Sequence, residues 1–266
     1  LAPLALAGTL GVGSDPVAMI APLAFNLDGA AITLARRLSR VIGRGPGADG
    51  LARLIARRRE EGASPLTFAV VYPYSTHNYL LRDWMAEAGI DPDHDVRLTV
   101  APPSRLAELL DGGVVEGFCA GEPWNAVAVA AGSGEIVARA ADLRDRTPDK
   151  VFGVTETWAG RHPGQLGSIV RALTAAAAWL EAPAHRAQAA AFMAEPEYLG
   201  VSRELIAPGL EELVVRHGAA GAPRSADAAW LIGEMIRWGQ APADIDAQAL
   251  AARVYRTDLH EAALAR

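Results

Sequence analysis

Across residues 65–143 short apolar runs alternate with stretches of helical periodicity, and this alternation restricts the chain to an α/β architecture built from βα units. The runs are LTFAVVYPY, DVRLTVAPP, VVEGFCAG and EIVARAADL, with helices expected between them over residues 77–89, 105–110 and 123–131. In the first helix Leu80, Leu81, Trp84, Met85 and Ala88 recur at three- and four-residue spacing, while Arg82, Asp83 and Glu87 face away. Gly89 supplies the C-terminal stop, and Asp91 and Pro92 break the chain before the next strand. Successive βα units require parallel strands joined by right-handed crossovers. In open α/β sheets ligands sit beyond the carboxyl ends of the strands, a rule that selects residues 72–78, 101–104 and 120–125 here.

Outside that region the pattern is less regular. Residues 1–38 read as helix, loop, apolar strand (MIAPLAF) and helix, followed by the glycine-rich GRGPGADG and a basic helix, LARLIARRR. The opening LAPLALAGTLGVG has no initiator Met and no positively charged stretch before it, so it reads as a domain entered partway rather than as a signal peptide. After Leu143 the polar DRTPDK leads into VFGVTETW, a segment suited to crossing between lobes. Helices are expected beyond it over residues 166–180, 185–193, 203–210 and 226–238, wrapping the lobes. The expected organisation is residues 1–64 as the remainder of a first lobe lacking its opening strands, residues 65–150 as the second lobe, and residues 151–266 as a crossing strand and helices completing the first.

Composition narrows the function. A chain of 266 residues, 51% of them hydrophobic, is long enough to fill two modest cores. A net charge of −6 with no basic stripe argues against nucleic acid as a partner. No apolar run approaches the roughly 18 residues of a membrane span. Cys119 is the only cysteine, which excludes an internal disulfide and a Cys-cluster metal site, and the six histidines show no metal-ligand spacing, so no cofactor is implied. Among 25 basic residues Lys150 is the only lysine; it is either a compositional accident or a place that needs a compact, rotatable point charge.

Two loops carry candidate ligand chemistry. Residues 74–78 set Thr76, His77 and their neighbours at a helix start, where unpaired N–H groups and the positive end of the dipole favour an anion. The alternative reading is that Ser75 or Thr76 caps the helix and His77 is an ordinary first-turn residue. In residues 117–125 Gly121 lets backbone approach a ligand, Trp124 either walls a pocket or packs in the core, and Glu122 either supports the site or pairs with the helix dipole. Cys119 and His77 together suggest a thiol nucleophile and its base, yet a lone Cys inside an apolar run is more commonly a small buried hydrophobe.

The segments STHNYLLRDWMAEAGIDPDHDVRLTVAPP, GFCAGEPWNAVA, TPDKVFGVTETWAGRHP and WLIGEMIRWGQ together resemble the nitrate/bicarbonate-binding proteins of ABC transporters, the NrtA/CmpA group, and their soluble nitrate-sensing relatives. The resemblance runs over about residues 1–259. It implies a two-lobed, periplasmic-binding-protein-like (type II) fold whose family members carry a further lobe-opening segment ahead of Leu1. It also implies His77 as an anion ligand, Trp124 as a pocket wall and Lys150 as the charge that neutralises nitrate from across the cleft, with Thr76, Gly29, Gly121 and Glu122 beside them. Bicarbonate-binding members are expected to carry an acidic residue at the lysine's place, so Lys150 favours nitrate or nitrite. One departure bears on ligand identity: the sensing branch reads N-G-N-A-I-T where this chain has Asp28-Gly29-Ala30-Ala31-Ile32-Thr33, so an amide is lost at Ala30.

The function implied is binding of a small inorganic anion without catalysis, as the substrate-binding component of an ABC system that delivers to a membrane permease. An alternative within the family is a cytoplasmic sensor acting on a regulatory protein, and the intact N-terminus separates the two, an export or lipoprotein signal placing the chain in the periplasm or at the membrane. The alternative of a different class is an enzyme, either Cys-dependent or a pyrimidine-biosynthesis protein of the same fold.

Overall fold

In a computed structural model, which describes residues 1–43 and 45–265, the βα alternation folds into a five-stranded mixed sheet joined to a smaller three-stranded one. The strands are β1 (Met19–Leu27), β2 (Ala30–Ala35), β3 (Thr67–Val70), β4 (Arg97–Val100), β5 (Gly117–Gly121), β6 (Gly134–Arg139), β7 (Pro148–Thr155) and β8 (Val214–Val215). The larger sheet has the order β4-β3-β5-β2-β6. Its β3 runs parallel to β4 and β5, as the βα reading requires, whereas β2 runs antiparallel to both β5 and β6. The smaller sheet, β7-β1-β8, is antiparallel.

β2 differs from the sequence reading twice. The stretch between MIAPLAF and Leu38 reads as helix and residues 1–64 as part of the other lobe, but Ala30–Ala35 is a strand at the interior of the five-stranded sheet. All six of its residues are buried, and a fully buried apolar strand has no period-two signature to set it apart from a buried helix. The chain reaches it from β1 through a two-residue kink at Asp28 and Gly29, with φ of 62° and 79°. The partition expected at residue 64 therefore does not follow the sheets. The helices Arg36–Ile42 and Asp49–Glu60 likewise bury Leu38, Leu51 and Ile55 in the core of the larger sheet. The glycine-rich loop between them includes Arg44, which lies outside the described residues.

The helix after β3, Thr76–Glu87, is shared between the two halves of the molecule. Leu80, Leu81, Trp84 and Met85 enter the core of the larger sheet, whereas Tyr79 joins a second core made with the helices Ala2–Leu10, Ser225–Arg237 and Ala247–Val254. Its end is as the sequence foresees: Gly89 takes φ 77° and Ile90 N–H donates to Met85 O at 3.0 Å. β7 overlaps residues 151–158, where a crossing segment is expected, and pairs with β1 so that Lys150 stands opposite Asn26. The expected C-terminal helices form as Pro163–Trp179, Pro183–Ala194, Arg203–Glu212 and Ser225–Arg237, and two more, Ala247–Val254 and Thr257–Leu264, follow them. Among the described residues no helix is long and apolar enough to cross a membrane.

Candidate anion-binding site

The loop after β3 begins the helix with Ser75, which accepts from Asn78 N–H at 3.1 Å and donates to Tyr72 O at 2.6 Å. Ser75 is thus the cap, and the neighbouring side chains are released for other contacts. Thr76 uses its hydroxyl to donate to Pro148 O at 2.8 Å, which ties the helix start to the first residue of β7. His77 is 3% exposed, and both of its ring nitrogens are buried without a hydrogen-bond partner.

Opposite His77 stands a carboxylate that sequence reasoning did not select. Asp149 is buried, and its Oδ2 accepts from Lys150 Nζ at 2.5 Å and from Asn26 Nδ2 at 3.2 Å. Its Oδ1 has no hydrogen-bond partner and lies 3.6 Å from His77 Nε2. The Lys150 side chain is 40% exposed, so its ammonium belongs to the surface of the site while the carboxylate beneath it does not. The signal available in the sequence was adjacency, since an acid next to a solitary lysine is a natural ion partner; Asn26, inside an apolar strand, had no comparable signal.

The electrostatics follow from burial. Burial pushes the His77 imidazole down to about 4 against the opposing pull of Asp149, and Lys150 pushes it down as well, so the ring is neutral at pH 7. For Asp149 burial pushes the carboxyl up, but Lys150, His77 and Asn26 together outweigh it and hold the group below the usual carboxylate range. At neutral pH the site carries one cation and one anion, which cancel.

Gly29 and Gly121 border this cluster. Gly29 O accepts from Glu122 N–H at 3.0 Å, and the kink preceding it is held by Asp28 N–H donating to Thr147 O at 2.8 Å and Thr147 N–H donating to Asp28 Oδ1 at 3.0 Å. A methyl group added at Gly121 would lie 3.7 Å from His77 Nε2 and 3.7 Å from Gly29 O, so the glycine leaves room for one methyl-sized group beside the imidazole. Ala30, buried and opposite Gly121 in the β2–β5 ladder, presents no polar group there.

Trp124 and Glu122 are occupied elsewhere. Trp124 opens the helix Trp124–Ala130 and packs half-buried against the core of the larger sheet. Glu122 Oε2 accepts from Ala126 N–H at 3.1 Å in the first turn of that helix, and its Cβ lies so close to Gly209 that a side chain there would clash at 2.5 Å. The sequence also passed over Asn125, which is fully buried, donates to Ala120 O at 2.9 Å and accepts from Thr33 Oγ1 at 2.8 Å, locking the loop after β5 to β2. Cys119 is 0% exposed and burial pushes its thiol up, while His77 makes no hydrogen bond to it; the two do not form a nucleophile and base. Among the described residues no group of three or more His, Cys, Asp or Glu is placed to hold a metal ion. The arrangement brings an ammonium and an imidazole to one buried carboxylate, and Cys119 beside it is not an activated nucleophile.

Known proteins resemble the chain in sequence and in fold. The chain is 31% identical over 97% of its length to the nitrate import ATP-binding protein NrtC of Synechocystis sp., of which it spans 40%. It is 30% identical over 96% of its length to the nitrate/nitrite binding protein NrtA of Synechococcus elongatus, of which it spans 61%. The chain thus spans less than two thirds of the length of the curated relatives it matches. Its only lysine lies in TPDKVFG, so the stretch shared with NrtC contains no G-x-x-x-x-G-K-[ST] phosphate loop. Among solved structures, the periplasmic nitrate-binding protein NrtA from Synechocystis PCC 6803 superposes with a TM-score of 0.93 at 24% identity, covering 100% of this chain and 72% of that one. The aliphatic sulphonate binding protein SsuA from Escherichia coli superposes at 0.59 over 91% of this chain and 75% of that one, at 16% identity. These likenesses establish the two-lobed periplasmic-binding-protein fold, and because the NMT1-like family model matches residues 1–194, the chain belongs to the NMT1-like family.

Proposed function

We propose that this chain is the solute-binding part of an ABC import system for a small inorganic anion, nitrate or nitrite, and that it binds this anion without transforming it. The observation that carries the reading is the convergence of His77, from the helix that follows β3, and Lys150, from β7, on one buried carboxylate. The ammonium supplies charge, and Gly121, where an added methyl group would come into contact with the imidazole, lets an oxyanion approach the ring beside bare backbone. The relatives named as nitrate/nitrite binding proteins support the ligand class, and those named as nitrate import ATP-binding proteins support an ABC import system as partner. Their names support a binding protein over an enzyme, as does the buried, unpaired Cys119.

Calorimetric titration of the full-length protein with nitrate, nitrite and bicarbonate tests this. The wild type is expected to bind nitrate or nitrite, and Lys150→Glu, which sets a second carboxylate beside Asp149, is expected to weaken nitrate roughly a hundredfold or more. A wild-type protein that binds bicarbonate and neither nitrogen oxyanion overturns the assignment. A second reading draws on the match to chains named ATP-binding proteins: an anion site that reports occupancy to a regulatory or transporter partner rather than delivering cargo. Nitrate-dependent association with such a partner, and the absence of an export signal in the full-length protein, distinguish it.

A further inference from the structure

The donors and acceptors around His77 do not balance, and the imbalance has a definite size. Asp149 Oδ1 is a buried acceptor with no partner, 3.6 Å from His77 Nε2, and an incoming anion adds an oxygen that also needs a donor. A neutral imidazole has a single N–H and can answer only one of them; the imidazolium has two and can answer both. Charge gives the same count. Lys150 and Asp149 already cancel, so an anion entering alone leaves an uncompensated negative charge in a buried site, and one added proton restores neutrality.

Resting on the anion-cleft reading above, we propose that the site takes its anion together with one proton, held on His77 between the Asp149 carboxylate and the bound anion. The proton comes from solvent and binds the free ring nitrogen; no other bond changes. Asp149 thereby becomes a positioning residue for the site: it anchors the Lys150 ammonium through Oδ2 and receives the imidazolium through Oδ1. The titratable side chains near His77 are Asp149 and Lys150 on β7, while Cys119 on β5 senses Asp149. Of these only Asp149 favours the imidazolium in the ligand-free site, where burial keeps the ring neutral. A second negative charge at the ring supplies what is missing.

Nitrate is the probe of choice because it does not itself titrate between pH 5 and 8. Calorimetry of nitrate binding by the full-length protein at pH 7, in two buffers of different ionisation heat, is expected to report uptake of close to one proton. Affinity is expected to rise as pH falls, approaching tenfold per pH unit between about pH 7 and 5. His77→Gln, which keeps a hydrogen-bonding amide but cannot accept a proton, is expected to bind more weakly with a flat pH profile. Asp149→Asn is expected to reduce the proton count. Nitrate binding with no proton uptake and the same affinity at pH 5 and 7 overturns this inference and leaves the anion site standing. No nitrate binding anywhere between pH 5 and 8 overturns both. Because the proton count is read on the wild type, a variant that fails to fold does not protect the proposal.

Discussion

Lys150 and Cys119 were singled out by the same kind of observation, each being the only residue of its type, and the structure gives them opposite meanings. Lys150 has a buried counter-ion at 2.5 Å and a partly exposed ammonium, the position of a charge that meets a ligand. Cys119 is fully buried in β5 with its thiol pushed away from ionisation. In the native protein at pH 8, alkylation of Cys119 by iodoacetamide is therefore expected to be roughly a hundredfold or more slower than that of a free thiol, and indifferent to nitrate. Peptide mass mapping before and after denaturation measures this. Rapid native labelling that nitrate suppresses would reopen the thiol-enzyme reading. Uniqueness in composition flags a residue; only the surroundings say whether it is a ligand or filler.

The helix Thr76–Glu87 is the element on which site and cores meet. Its first turn presents His77, its middle fills the larger core with Leu80, Leu81, Trp84 and Met85, and Tyr79 reaches the second core and donates to Gln240 Oε1 at 2.8 Å. Trp84 is 2% exposed and its indole N–H donates to Pro46 O at 2.6 Å, so Trp84→Ala is expected to cost about 3–5 kcal/mol in urea unfolding. At the other end, Gly89 takes φ 77° with no atom within 4 Å of where a Cβ would stand. Gly89→Ala there meets no clash and tests backbone conformation alone, with an expected loss of about 1–2 kcal/mol. Equal stability of the wild type and Gly89→Ala would mean that the helix end is not fixed in the left-handed region.

At the scale of the whole molecule, this helix faces Ser225–Arg237 across a polar contact. Asp83 accepts from Arg237 at 2.7 Å, yet burial, and then the Glu234 carboxylate, push Asp83 up to about 7 in spite of that arginine. A carboxyl raised in the folded state binds its proton more tightly there than when unfolded. The contact is therefore at full strength below the ordinary carboxylate range and loses stability as pH climbs from about 4 to about 7. Asp83→Asn removes the charge that has to be buried. It is expected to raise the melting temperature by a few degrees relative to wild type at pH 8, with the difference vanishing near pH 4. Paired melting curves of the two proteins from pH 4 to 8 isolate this group from His77, which is present in both. A difference that does not change with pH would remove Asp83 as the cause.

The βα repeat, the stop at Gly89 and the loops beyond β3 and β5 were legible in the sequence alone, because periodicity, turn chemistry and capping are local. The sequence also marked His77 and Lys150, which meet at one carboxylate, Thr76, which ties the helix start to β7, and Gly121, which lies beside His77 and Gly29. Only the tertiary structure made Ala30–Ala35 an interior strand, since burial on both faces erases the alternation that announces a strand. Only it turned Trp124 and Glu122 toward core and helix, because either residue suits both a pocket and a first turn and packing chooses between them. And only it revealed Asp149: a carboxylate's importance here lies in having one oxygen paired and one left over, a property of its neighbours in space that no spacing along the chain records.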